Sequence, residues 1–286
     1  MSAPTATLAP ATIRRGRPPV TGPRSAFTTL TRRRLALSAR TPRELLVPLL
    51  TPILFALVIA PALASIGPTI PGVDYMSFAA VGTVGLLIPL NCMFSGIGVI
   101  LDRESGARRD LLAAPMRRPL IVLANLAVAL MTTALQVVVL VVAAALRGAD
   151  LTASATGLAW FVGAAVLLGI AMYGVAETLS NRIPTVEEYV GVLPAIAIVP
   201  FFFAGSLFPI TALPWAMTAF ARLLPLTHAL ALMRYGLLDH NASGLHDIWG
   251  MSNATTMAAL SIAVVAGYAV VLTAVALRTF RASVES

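Results

Sequence analysis

The chain of 286 residues is 58% hydrophobic and only 11% charged, whereas a soluble domain carries about a quarter charged residues, so a soluble globule is excluded. The net charge is +8 and all 20 cationic residues are arginine, which removes a Walker A lysine, a Schiff-base lysine and a lysine general base. A lone cysteine, Cys92, permits no intrachain disulfide.

Residues 1–24, rich in Pro, Thr, Ala and Arg without apolar periodicity, read as a disordered cytosolic tail. Arg14 and Arg15 lack the adjacent apolar run of an export signal. From 25 to 43, Phe27, Leu30, Leu35 and Leu37 alternate with Arg32, Arg33, Arg34 and Arg40. That composition suits an amphipathic helix lying on an anionic leaflet, with a solvated basic linker as the alternative.

Six segments then have the length needed to cross about 30 Å of hydrocarbon: 45–66, 76–101, 119–146, 157–180, 189–209 and 253–277. The predicted fold is therefore an all-α integral membrane protein over 25–286, kinked at Pro48, Pro52, Pro61, Pro89, Pro194 and Pro200. Residues 210–235 are apolar enough to pose as a seventh span. Pro214, Arg222 and Pro225 divide them, and Trp215 suits the interface, so two short outer re-entrant helices are expected instead, with Thr227 as an N-cap.

Charge supports the even count. With the N-terminus inside, residues 1–44 and segments 102–118, 181–188 and 278–286 hold nine, five, one and two arginines, leaving Arg147, Arg222 and Arg234 outside. The positive-inside rule then places both termini in the cytosol, so the basic balance reads as membrane orientation rather than as a nucleic-acid footprint.

The densest charge cluster, residues 102–118, leaves Leu111, Leu112 and Met116 as apolar knobs among Arg103, Glu104, Arg108, Arg109, Asp110, Arg117 and Arg118. A short cytosolic helix here would present charge and shape to a docking partner; a solvated positive-inside loop is the other reading.

This segment resembles the first coupling helix of ABC-2 type permeases, the membrane subunits of type V ABC exporters. Glu104, Gly106, Leu111, Leu112, Pro115 and Arg117 occupy the motif's places: an acid, a glycine, a leucine-rich turn, a proline and a basic residue. Arg40-Thr41-Pro42-Arg43 ahead of the first span is similar to that family's Arg-x-Pro-Arg. Phe208-Pro209 through Pro214-Trp215, with Leu224-Pro225-Leu226-Thr227 and Arg234, resembles its outer re-entrant helices. Leu224 stands where the family often has Asn, and His228 where it often has Tyr.

The resemblance implies an exporter half without its engine. Two permease copies, or this chain and a paralogue, would pair in the lipid membrane, each docking an ABC nucleotide-binding subunit. This chain would bind no cofactor, with ATP and Mg held by the partner. The ATPase-coupling surface is then expected on Arg103, Glu104, Gly106, Arg108, Arg109, Leu111, Leu112, Pro115 and Arg117. Compact chains of this layout resemble the daunorubicin- and doxorubicin-resistance branch, though permeases for lipids, lipo-oligosaccharides and polysaccharides share it. Lysine-free composition suggests a GC-rich coding sequence and hence a bacterial inner membrane.

Polar groups inside spans are costly and mark pathway or packing roles. Asn91, Ser95, Gln136 and Tyr173, with Phe202 from the aromatic run 201–203, are the candidate substrate path; interhelical hydrogen bonding by Asn91, Cys92, Thr132, Thr133 and Gln136 is the alternative. Glu177 is expected to snorkel to water or to pair with Arg182, and Glu187 and Glu188 to lie in a solvated loop. Ala165/Gly169 and Ala263/Gly267 have close-packing spacing. His228, His240 and His246 lack metal spacing. Asn241-Ala-Ser and Asn253-Ala-Thr fit a glycosylation pattern, and no hydrolase motif is present. Outside the family reading, an ion-gradient transporter would need intramembrane acids or inverted repeats, and the chain offers Glu177 alone.

Overall fold

Hydrophobic segments this long must satisfy their backbone internally, and helices are how they do so. The computed structural model describes residues 22–40, 50, 53, 54, 58, 62, 74–152, 154–238 and 242–285. Most of the tail, most of the 45–66 segment, the Arg-x-Pro-Arg lead-in beyond Arg40, His240 and Asn241 lie outside them. No strand occurs among the described residues.

The helices are α1 (Pro23–Arg40), α2 (Tyr75–Glu104), α3 (Ala107–Ala113), α4 (Pro119–Leu146), α5 (Ala155–Ser180), α6 (Val186–Ala197), α7 (Val199–Phe203), α8 (Trp215–Ala221), α9 (Pro225–Leu237), α10 (Ser243–Trp249) and α11 (Ala254–Glu285). Among the described residues five helices are long and apolar enough to cross a membrane, counting α6 with α7 as one, or six if the bent pair α8–α9 is counted. They coincide with the predicted segments from 76 onward. Polar N-caps set several starts: Asp74 accepts from the Ser77 amide at 3.0 Å, Ser154 from Gly157 at 2.9 Å and Thr185 from Glu188 at 3.3 Å.

Helix α2 is the hub. Of its apolar window 72% is buried, against 22% for α11, because α4, α5, α6 and α9 all pack on it. The outer faces of α4 and α11 keep Met131, Leu135, Val138, Val270 and Val271 exposed, as a lipid-facing surface requires. Together these make a multi-pass membrane protein.

Two crossings are closed by glycine. The Cα of Gly157 on α5 sits against the Gly236 carbonyl of α9, and the reverse also holds, so a Cβ on either would strike backbone. Gly174 packs in the same way on the Leu272 backbone of α11. Of the predicted small-residue positions, Gly169 does pack, against Leu130 and Ile88, whereas Gly267 faces open space within the chain.

Residues 210–235 are two short helices, α8 and α9, bent by 80°. Thr227 is not the cap of α9: Pro225 takes the first helical position and Leu224 the cap, which turns Thr227 inward. His228 replaces an expected aromatic and is structural. Its Nε2 donates to the Arg222 carbonyl at 2.9 Å, leaving Nδ1 to accept from Ser261 at 3.2 Å; Ser261 accepts in turn from Trp249 at 2.8 Å. That chain fastens α9 and α10 to α11.

Candidate functional site

Helix direction sorts the chain into two ends. At one, α2 ends, α3 lies, α5 ends, α6 starts and α11 finishes; at the other, α2 begins beside the 205–207 turn, the end of α9 and α10.

Segment 102–118 is not one helix. Helix α2 runs on to Glu104, Gly106 turns the chain in the left-handed region at φ +78°, α3 covers seven residues, and Ala114 is extended. A side chain at φ > 0 costs about 1 kcal/mol, which accounts for glycine in the motif. Leu111, Leu112 and Met116 are half-buried against the bundle's own core. Glu104, Arg109, Asp110, Pro115, Arg117 and Arg118 are exposed, and Glu104 forms no ion pair among the described residues.

Arg103 and Arg108 turn inward instead. Arg103 donates to the carbonyls of Ser180 at 3.0 Å, Ile183 at 2.7 Å and Pro184 at 2.8 Å. These are orphan acceptors at and after the C-terminus of α5, where a cation is favoured. Arg108 donates to Ser283 Oγ at 2.6 Å and lies 5.2 Å over the Phe280 ring. Burial lowers its pKa from the ordinary arginine value, while the Glu177 charge opposes that shift.

Behind Arg108 a hydrogen-bonded chain enters the bundle. Ser283 Oγ donates to Asn181 Oδ1 at 3.1 Å, Asn181 Nδ2 donates to Glu177 Oε1 at 2.9 Å, and the Tyr173 hydroxyl donates to Glu177 Oε2 at 2.7 Å. Glu177 is 1% exposed. It neither snorkels nor pairs with Arg182, because Tyr173 and Asn181, one turn to either side on α5, enclose it. Sequence reasoning missed Asn181, Phe280 and Ser283; the i±4 spacing of Tyr173 and Asn181 about Glu177 was the available signal.

Helix α1 is clamped to the same end. Asp102 takes Arg33 at 3.4 Å and Arg34 at 3.2 Å, and Arg34 also donates to the carbonyls of Gly98 at 3.3 Å and Ser95 at 3.4 Å. A Cβ at Gly98 would occupy the space of that guanidinium.

Asn91, Ser95 and Tyr173 have partners within the chain. Asn91 donates to Gln136 across α2 and α4, Ser95 donates to the Cys92 carbonyl at 2.6 Å, and Tyr173 is committed to Glu177. Phe202 is 49% exposed and edge-on to Phe201 at 5.4 Å.

At the opposite end Arg234, counted in the sequence as an outside charge, is buried. It donates to the carbonyls of Gly205 at 2.6 Å, Ser206 at 2.8 Å and Phe78 at 3.3 Å, and its guanidinium lies 3.4 Å over the Phe78 ring. Gly82 leaves the room: a Cβ there would strike the Ser206 carbonyl.

The chain matches the family model described as ABC-2 type transporter over residues 25–238. No curated protein matches it. Members of that family generally work in the membrane with an ATP-binding subunit. The match runs from α1 through α9 on a multi-pass helical scaffold, and the chain therefore belongs to the ABC-2 type transporter family, as a transport permease and not as the ATP-binding subunit.

Proposed function

We propose that this chain is the permease half of an ATP-driven exporter. A hydrophobic or amphipathic substrate, drug-like or lipid-like as in the daunorubicin- and doxorubicin-resistance branch, moves outward across a bacterial inner membrane. Two copies, or this chain and a paralogue, form the pathway. Each docks a separate nucleotide-binding subunit that holds ATP and Mg. Both termini and α3 face the cytosol, and α8 to α10 face outward.

The observation that carries this reading is the division of labour in segment 102–118. Glu104, Arg109 and Arg117 are exposed with their charges available to a partner, and Pro115 is exposed beside them, while Arg103 and Arg108 run back into α5 and α11. A push on α3 therefore reaches α11 through Arg108, and α5 through Arg103 at the adjoining end of α2, the load path an ATPase stroke requires.

Copurification of the tagged protein in mild detergent, with mass spectrometry and an ATPase assay, tests it. A nucleotide-binding subunit should accompany the wild type. Glu104→Arg should abolish substrate-stimulated hydrolysis while membrane insertion stays intact. Normal stimulation in that variant would remove the assignment of the coupling surface.

A further inference from the structure

The end of the bundle opposite α3 carries a feature that coupling to an ATPase does not use. Between α9, α10 and the 204–211 segment lies a cavity of about 250 Å³. At roughly 30 Å³ per liquid water it has room for about eight waters. That is below the usual range for a drug-sized ligand and suits a headgroup-sized one.

Its lining combines three kinds of group. Phe78, Ile210 and Leu238 are apolar walls; Arg234 brings a guanidinium and Asp247 a carboxylate. The third is Thr227, which lines the cavity at 2% exposure with a hydroxyl that makes no hydrogen bond among the described residues. A buried hydroxyl left in that state is costly, and a ligand oxygen at the cavity would relieve it.

Charge then selects the ligand. Arg234 is fixed in place by three backbone carbonyls and the Phe78 ring, so its positive field at the cavity is preorganised. Asp247, on α10, lies half-buried on the same cavity. A simple anion is opposed by Asp247 and a simple cation by Arg234. A molecule carrying both charges is opposed by neither.

We propose that this cavity binds a zwitterionic headgroup, its phosphate-like oxygens toward Arg234 and Thr227 and its ammonium toward Asp247. The apolar walls take the adjoining glycerol or acyl stem. The proposal rests on the cavity and not on the transported substrate or on ATPase docking. The chemistry is shared by a zwitterionic lipid and a soluble phosphoamine, and the experiment separates them.

The purified full chain is equilibrated in detergent with equal phosphatidylethanolamine and phosphatidylglycerol, and retained lipid is counted by native mass spectrometry. Phosphatidylethanolamine should be retained in preference to phosphatidylglycerol, and Asp247→Asn and Thr227→Val should each reduce that retention about tenfold, as loss of one polar contact to a charged group does. Displacement by millimolar phosphoethanolamine identifies the headgroup as sufficient; resistance to it identifies the intact lipid as the ligand. Equal retention of the two lipids, or unchanged retention in both variants, overturns the proposal. Thr227→Val guards against a variant that merely unfolds. Because the hydroxyl has no hydrogen-bond partner among the described residues, the near-isosteric valine should leave the thermal midpoint unchanged or raised, so lower retention with intact stability reports the ligand alone. Intact retention in Thr227→Val together with a lowered midpoint would mark the hydroxyl as structural and also overturn the proposal.

Discussion

The two ends of the bundle use arginine in opposite ways. At the α3 end, Arg33, Arg34, Arg103 and Arg108 reach three helices, α2, α5 and α11, and their partners include Asp102 and, through Ser283 and Asn181, Glu177. At the other end a single guanidinium, Arg234, is packed among carbonyls of α2 and the 205–206 turn under an aromatic ring. A network of many partly exposed contacts can exchange partners, whereas one buried cation held by backbone cannot move without leaving several acceptors bare. The first arrangement suits an end that receives a push, and the second an end that holds its shape.

The sharpest way to break that contrast is Arg234→Met. It leaves three carbonyls without their donor and should destabilise the protein by about 3 kcal/mol, read from thermal unfolding in detergent. A loss under about 1 kcal/mol would mean that the end is not held by this residue. Arg103→Ala comes next. Removing three charge-assisted bonds at the α5 terminus should cost about 2 kcal/mol, and ATPase stimulation should fall further than stability does. Equal falls would reduce Arg103 to a cap. The smallest effect is expected from a double-mutant cycle on Arg108→Ala and Ser283→Ala. A coupling of about 1 kcal/mol would support a continuous chain from α3 to Glu177, and strict additivity would cut it.

Much of this was legible in the residues. Hydropathy alone located every long helix from Tyr75 onward, since a span has to be both long and apolar. Prolines and Arg222 correctly broke 210–235 into two pieces. Chemistry was harder to read, because a side chain's partners come from other helices. Glu177 looked like a snorkelling acid from its nearness to Arg182, but Ser283, a hundred residues away in the chain, completes its network. Arg234 counted as one outside charge, and nothing local signals that Gly82 on α2 makes space for it. Thr227 failed as a cap because Pro225 displaced the helix start by three residues. The expected apolar knobs Leu111, Leu112 and Met116 were half consumed by the chain's own core.

Helix α2 is a single element of 30 residues, about 45 Å long at 1.5 Å per residue. It carries Phe78 and Gly82 near one end, and Asp102 and Arg103 at the other. One continuous helix thus joins the arginine network to the Arg234 pocket, and the consequence of any tilt follows from its length. A tilt of about ten degrees pivoting at one tip sweeps the other through about 8 Å, more than one helical turn. Pro89, inside the helix, removes one backbone bond and sets where it would flex.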